Sequence, residues 1–431
     1  ALPICVCMDA RLHSPALKNA LIAGLEKADV IYIEDYGIAP TPIGYYSEYA
    51  HNLDGAMIIT ASHNPKEYNG LKMTYNHQTL NEEQIKEVKE ETFSIWNEFI
   101  FDKFSKLNAK KVDIIPEYIE DMKKRFGLCA SGIKVVVDSA NATGGIVGPQ
   151  LYRMLGADVI ELFSEPDGNF PNHHPNPSDL STLKTLSETV VMNYADLGIA
   201  FDGDSDRIGV IDSKGNPMTG DKLLLIYALD MINDLGINLT VVSEVKCSQV
   251  LYDTINNTGA KAVMCKTGHG YIKEKMKETG AILGGEMSGH TFFKDRYYGY
   301  DDAIYAGCRM LEIVAKNKKI SSGFKIEDIL KPFEEVFTSD EVRYPCPNDR
   351  KKDTLEHVKF AVKENPEMFG SEIKDIVTLD GMRIVFSGGF ALIRQSNTEP
   401  VFTLRFEAKN EAECKRFKEV MIKCLDEYLK S

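Results

Sequence analysis

Short apolar runs that end on a polar residue alternate along this chain with stretches of helical periodicity. Ile4 to Met8 stops at Asp9; Leu17, Ala20, Leu21 and Leu25 then share one helical face, and Ala28-Asp29-Val30-Ile31 opens another strand. The order recurs at Val135-Val136-Val137, Asp138, a helical stretch with Leu151 and Leu155, and Ala157-Asp158-Val159-Ile160. In both copies the Ala stands nineteen residues after the Asp. A looser third copy runs from Val241-Val242 through Val250, Leu251 and Ile255 to Ala260-Lys261-Ala262-Val263. Strand, loop, helix and strand at this spacing make βαβ units, and three of them predict three related α/β domains with mixed, mostly parallel sheets. The C-terminal pattern differs. Asp353 to Lys363 reads as a helix, Ile376 to Leu379 and Met382 to Phe386 flank the hairpin signal Asp380-Gly381, Val401 to Glu407 alternates with Phe402, Leu404 and Phe406 on one face, and Glu411 to Leu429 is an amphipathic helix. This predicts a C-terminal α+β domain. The expected domains are 1-108, 109-216, 217-330 and 331-431.

At 431 residues and 43% hydrophobic the chain has material for several cores, which excludes a small stapled scaffold. Its 50 Lys and Arg against 64 Asp and Glu give a net charge of −14. That balance argues against nucleic acid as a partner and leaves room for a small anion only where basic residues cluster. Nine cysteines form no C-x-x-C pair and are expected to be reduced cytosolic thiols. The apolar run Leu223 to Leu229 is bounded by Asp221-Lys222 and Asp230, too short to span a bilayer, so no membrane partner and a cytoplasmic location are expected.

Four loops carry candidate chemistry. Gly55 to Ile59 runs into Thr60-Ala61-Ser62-His63-Asn64-Pro65; Ser beside His invites a hydrolase reading, but neighbouring side chains seldom aim at each other, no G-x-S-x-G elbow is present, and a turn-capping hydroxyl is the plainer alternative. Asp202-Gly203-Asp204-Ser205-Asp206-Arg207 joins two apolar strands, and three carboxylates this close repel unless a hard cation such as Mg2+ is shared; a solvated acidic turn is the alternative, which the apolar flanks disfavour. The EF-hand alternative fails because Arg207 and Ser213 stand where Gly and Glu are needed. Gly284-Gly285-Glu286-Met287-Ser288-Gly289-His290 suits a polyhydroxylated ligand or an ordinary turn, and Arg394-Gln395-Ser396-Asn397-Thr398-Glu399-Pro400 has the chemistry of a phosphate nest, with a plain turn as the equal alternative. Arg405 lies opposite the apolar face of the strand that follows. His173-His174 sit among Pro171, Pro175 and Pro177, a setting that favours a rigid loop over a metal site.

Together these loops resemble the α-D-phosphohexomutase superfamily, with four motifs in family order over essentially the whole chain. Glu286 to His290 resembles the bacterial phosphomannomutase/phosphoglucomutase branch; the phosphoglucosamine branch usually carries Gln where Met287 stands. The resemblance implies four domains around a central cleft. It implies that Ser62 carries the phosphoryl group and, with Asp202, Asp204 and Asp206, ligates Mg2+, while Arg207, Lys72, Lys246 and His269 serve catalysis. It further implies that Glu286, Ser288 and His290 meet the sugar and that Arg394, Ser396, Asn397, Thr398 and Arg405 clamp the phosphate that is not reacting. Cys7-Met8-Asp9-Ala10-Arg11 resembles a family segment with two residues altered, which places Arg11 at the substrate. The family's preceding strand and helix do not stand before Ile4, so the N-terminal part of domain 1-108 is expected to be missing.

The implied activity is reversible transfer between C1 and C6 of mannose and glucose phosphates through a hexose 1,6-bisphosphate, by a monomer or weak homo-oligomer whose partners are small-molecule hexose phosphates. Phosphoglucosamine mutase, a metal-dependent serine phosphatase and a non-catalytic sugar-phosphate-binding protein are the alternatives.

Overall fold

The computed structural model describes residues 2–28, 30, 32–95, 107–396 and 399–429. Its residues group into two compact units, Ala1–Thr219 with Ser288–Ile326, and Gly220–Met287 with Glu327–Ser431.

The first unit holds two sheets. In one, the fully buried strand Ile4–Met8 runs parallel to Ile33–Ile38 on one side and to Gly55–Ile59 on the other. Burial on both faces is why this strand is apolar without alternation. Leu71–Tyr75 adds antiparallel to Gly55–Ile59, setting Lys72 opposite Ile58. In the other sheet Lys134–Asp138 lies parallel to Asp158–Leu162 and Leu197–Phe201, and Ile208–Ile211 folds back antiparallel on the latter. Two small apolar clusters seal these sheets, one around Val6, Ile22 and Ile33, the other around Val136, Leu186 and Ile211. Asp138 ends its strand, and Asp9, the Ser62 loop and the Asp202 loop follow the carboxyl ends of parallel strands, where open α/β sheets expose their loops. The second strand starts at Ile33, later than the sequence pattern predicts; Asp29 and Ile31 lie outside the described residues. The pattern also gave no notice of Leu71–Tyr75, whose half-exposed residues do not alternate cleanly.

The second unit holds the third βαβ sheet, with Thr240–Glu244 parallel to both Lys261–Cys265 and Leu283–Gly285. Its other sheet is antiparallel: Val401–Ala408 pairs with Gly389–Gln395, which pairs with Met382–Phe386, which pairs with Ile373–Val377. The helices Lys351–Glu364 and Glu411–Leu429 cover it, and Phe369, Phe386 and Phe417 meet ring to ring beneath them. The first hairpin strand ends at Val377 rather than Leu379. The strand begins earlier, at Ile373, with a register shift between Ile373 and Asp375, and the turn needs the positive φ of Gly381, +84°.

The α/β and α+β architecture matches expectation. All nine cysteines are free, eight of them buried. Among the described residues no helix is long and apolar enough to cross a membrane.

Candidate active site

The Ser62 loop is built from below by two buried residues. Asp9, just past the central strand, accepts hydrogen bonds from Thr60 Oγ1 at 2.9 Å and Ser14 Oγ at 2.7 Å. Its carboxylate also pairs with Arg11 Nε at 2.8 Å. The four remaining Arg11 N–H groups fan out beneath the loop: Nη1 donates to Pro65 O and Tyr68 O, Nη2 to Ser62 O and Asn64 O, at 2.6–3.1 Å. Expected at the substrate, Arg11 instead has every donor engaged by the protein, and its side chain is fully buried. It shapes the loop from underneath. So braced, Ser62 adopts a left-handed backbone, φ +50°, and its N–H donates to Thr60 Oγ1. A non-glycine residue held there stores strain, a feature that clusters at active sites.

This conformation aims Ser62 Oγ at the acidic loop, where it donates to Asp202 Oδ2 at 2.7 Å. Gly203 makes the approach possible, since a Cβ there would fall 2.3 Å from Ser62 O. Asp202 Oδ1 accepts the backbone N–H groups of Asp206 and Arg207, so the loop wraps around its own first carboxylate. Lys72 Nζ bridges Asp204 Oδ2, at 2.6 Å, and Asp206 Oδ2. Thr41, in the first turn of helix Thr41–Ala50, donates its hydroxyl to Asp204 Oδ2 and its N–H to Asp204 O.

Two oxygens remain over. Asp204 Oδ1 and Asp206 Oδ1 are buried and accept no hydrogen bond among the described residues. Asp202, Asp204 and Asp206 each offer an oxygen, all within 4.8 Å of one another. Burial and the charges of Asp206 and Asp204 push the Asp202 carboxyl well above the usual range. Three buried carboxylates, two of them with a spare oxygen, and one shared lysine fit a hard divalent cation such as Mg2+. The Lys72 ammonium stays charged: burial opposes this, but Asp204 and Asp206 raise its pKa well above normal.

Arg207 points its Nε at His290 Nε2, 3.0 Å away, and Nη1 lies 3.4 Å from His63 Nε2. His290 Nδ1 faces Asp301 Oδ2 at 3.1 Å. The backbone reinforces this: Arg207 and His290 form an antiparallel bridge, and Ile208 N donates to Gly289 O, an approach that leaves no room for a side chain at position 289. His63 Nδ1 lies 3.2 Å from Ser62 Oγ. Burial and the Arg207 charge push the His63 pKa down to about 3, so the imidazole is neutral at ordinary pH. The left-handed Ser62 backbone is what lets neighbouring side chains meet, which the reading of the sequence discounted. Asp301 was absent from the sequence candidates, because a carboxylate in a tyrosine-rich loop carries no local signal.

His173 lies close to both Asp138 oxygens through Nε2, at 3.1 and 3.0 Å, and to His174 O through Nδ1, at 3.0 Å. With acceptors at both nitrogens, and despite burial, its pKa is raised. It secures the proline-rich loop whose Pro175 packs near Gly203.

The second unit carries the other candidates. The division between units falls inside the glycine-rich loop, after Met287, so Glu286 belongs to the second unit and Ser288 and His290 to the first. Glu286 is buried and accepts Gly268 N at 2.7 Å; Glu244 accepts Met287 N at 2.9 Å. Lys246 Nζ lies 3.6 Å from Glu244, and His269 opens helix His269–Thr279. Arg394, nearly buried, donates Nε to Asp380 at 3.0 Å. Lys351 gathers the carbonyls of Ser396 and Glu399, drawing the ends of the next loop together. Asn397 and Thr398 lie outside the described residues. Arg405 donates to Lys246 O at 3.0 Å and stands 3.8 Å from Asp221. Arg383, which the sequence did not single out, is fully buried over the Phe390 ring and donates to Val245 O, Cys247 O and Gln249 Oε1.

Comparison with known proteins places this architecture. Four successive family models match: phosphoglucomutase/phosphomannomutase alpha/beta/alpha domain I over residues 1–98, domain II over 116–215, domain III over 219–331, and the C-terminal domain over 341–423. The phosphomannomutase/phosphoglucomutase of Pseudomonas aeruginosa is 39% identical over 419 residues, 97% of this chain and 86% of that protein. The phosphoglucomutase of Neisseria gonorrhoeae is 36% identical over 412 residues, 95% and 85% of the two chains. A crystal structure of a phosphoglucomutase/phosphomannomutase family protein from Burkholderia thailandensis superposes with a TM-score of 0.86 at 32% identity, covering 99% of this chain and 89% of that one. With all four domains matched in order and identity above 35% across nearly its full length, this chain belongs to the phosphoglucomutase/phosphomannomutase family of the α-D-phosphohexomutase superfamily.

Proposed function

We propose that this chain is an isomerase that moves a phosphoryl group reversibly between C1 and C6 of mannose and glucose phosphates, through phosphorylated Ser62 and a hexose 1,6-bisphosphate. The observation that carries the reading is the Ser62 hydroxyl, strained into position and 2.7 Å from the first of three buried carboxylates. The family supports the substrate class, since relatives bear the names phosphomannomutase/phosphoglucomutase and phosphoglucomutase.

In the transfer the free sugar hydroxyl attacks phosphorus, the bond from phosphorus to Ser62 Oγ breaks, and the hydroxyl's proton passes to a base. The reverse half-reaction returns the other phosphoryl to Ser62. Such transfer asks mainly for positioning and charge stabilisation. Asp202, Asp204, Asp206 and Ser62 would hold Mg2+, which supplies positive charge to the transferring group. Lys72 holds Asp204 and Asp206 side by side, Arg207 adds a fixed cation beside Ser62, and neutral His63 offers a hydrogen-bond partner to Oγ. Glu286 and Ser288 hold the sugar 3- and 4-hydroxyls with His290 beside them, and Lys246 and His269 serve substrate binding and proton transfer. Arg394, Ser396, Asn397, Thr398 and Arg405 hold the phosphate at rest. The reading divides the chain at 108, 216 and 330 and carries a cytoplasmic, monomeric or weakly oligomeric protein.

The test loads Ser62 with ³²P and adds glucose 1-phosphate. Label in glucose 1,6-bisphosphate and then glucose 6-phosphate supports the mutase. Label in inorganic phosphate makes the protein a phosphatase, and label retained on the protein makes it a binding protein.

A further inference from the structure

The hairpin residue Asp380 does more than turn the chain. One of its oxygens, Oδ2, accepts Arg394 Nε at 3.0 Å and the backbone N–H of Thr267 at 3.1 Å. Its side chain keeps 18% of its exposure and that of Arg394 11%, so the pair is largely withdrawn from water. The turn is pressed onto the strand that carries Arg394: a Cβ at Gly381 would fall 2.1 Å from Ile393 O and 2.7 Å from Arg394 Cα. Only glycine brings Asp380 this close.

The partner on the other side is equally specific. Thr267 and Gly268 present consecutive backbone N–H groups, one taken by Asp380 and the other by Glu286 Oε1 at 2.7 Å. Gly268 has φ +133°, a conformation that side chains rarely adopt, and leads directly into His269. The segment 266–268 is therefore a strap slung between two carboxylates. One orients the guanidinium assigned to the resting phosphate, and the other is the carboxylate assigned to the sugar hydroxyls.

We infer that Asp380 is a positioning residue that sets the plane of the Arg394 guanidinium and, through the Thr267-Gly268 strap, ties the phosphate clamp to Glu286. This rests on the reading of Arg394 as that clamp. The bond to Asp380 uses Nε and leaves the terminal fork, the part of arginine matched to two phosphate oxygens, to face an anion. Two effects of the carboxylate oppose each other. As a fixed anchor it spares Arg394 the loss of side-chain freedom on binding, which favours the phosphate; as a nearby negative charge it repels the phosphate. Removing the charge at constant size thus gives opposite signs under the two roles.

The experiment measures the Kd of glucose 6-phosphate by calorimetry in a Ser62→Ala background, where turnover does not interfere, and KM and kcat for both 1- and 6-phosphates with Ser62 intact. Asp380→Asn is expected to weaken glucose 6-phosphate about tenfold and to raise KM similarly for both substrates, with kcat within about threefold and an unchanged melting temperature. Asp380→Glu, which restores the charge, should recover part of the affinity. Tighter binding, or a fall in kcat alone that tracks lost folded protein, overturns the assignment. Arg394→Ala separates this proposal from its foundation. If Arg394→Ala leaves KM unchanged, the clamp reading itself fails; if it raises KM while Asp380→Asn does not, only the role of Asp380 fails.

Discussion

Replacing Arg11 tests the finding that this residue supports the Ser62 loop from beneath. In Arg11→Ala the buried Asp9 carboxylate loses its cation, and the carbonyls of Ser62, Asn64, Pro65 and Tyr68 lose their donors. Breaking one side of a buried ion pair costs about 3–5 kcal/mol. The carbonyls add to this, but loop relaxation and water offset part of it, so roughly 4 kcal/mol is the working figure. At about 2–4 °C per kcal/mol for a unit of this size, the transition that unfolds the first unit should fall by roughly 10 °C. Arg11→Lys keeps a charge for Asp9 but has three donors against five, so it should recover about half of the loss. Ser62 would no longer be held in its left-handed conformation, and since a misplacement of about 1 Å can cost a hundredfold, kcat should fall by at least tenfold with a smaller change in KM. Scanning calorimetry and steady-state kinetics on the two variants suffice. An unchanged transition temperature, together with raised KM and normal kcat, would mean that Arg11 reaches the substrate and that the bracing role is mistaken.

Three further outcomes are expected. Ser62→Ala should lower turnover by about 10³ or more without unfolding the protein, because it removes the hydroxyl that stands 2.7 Å from Asp202; near-normal turnover in that variant refutes Ser62 as carrier. Asp204→Asn removes a charge from the three-carboxylate cluster and should raise the Mg2+ concentration for half-maximal activity about tenfold or more, with weaker Mg2+ binding in calorimetry; an unchanged requirement would place the cation elsewhere. His51 meets Glu34 at 2.6 Å and Glu117 at 3.1 Å; burial alone lowers its pKa, but the hydrogen bonds and charges of the two glutamates outweigh this and raise it. A raised histidine pKa contributes stability that is complete below about pH 6.5 and is lost as pH rises through the folded value. The melting temperature should therefore fall as pH rises above about 6.5 through the raised folded value in the native protein and fall less in His51→Gln, and identical slopes would count against this pairing.

Much of this molecule was legible along the chain because the signals were local. A strand buried on both faces must be a continuous apolar run, and a βαβ unit must repeat that run after a helix, so Ile4 to Met8, Val135 to Val137 and Val241-Val242 announced three related sheets. Three aspartates within five residues between apolar strands announced a cation site for the same reason: their charges conflict unless something is shared. Other features depended on residues far apart in sequence. Arg11 matched a segment associated with substrate, yet its donors are spent on carbonyls 51 to 57 positions away, which no spacing along the chain could reveal. Lys72 sits on a strand with no clear alternation, and only its antiparallel pairing beside Ile58 carries its ammonium to Asp204 and Asp206. Asp301, Asp380 and Arg383 lie on a loop, a turn and a strand without chemical signature, and each acquires a role from a partner supplied by another element. The local rules of periodicity and charge repulsion act within a few residues and can be read directly. The direction in which a buried guanidinium or carboxylate points is decided by which distant backbone groups would otherwise lie unpaired, and that is settled only when the chain has folded.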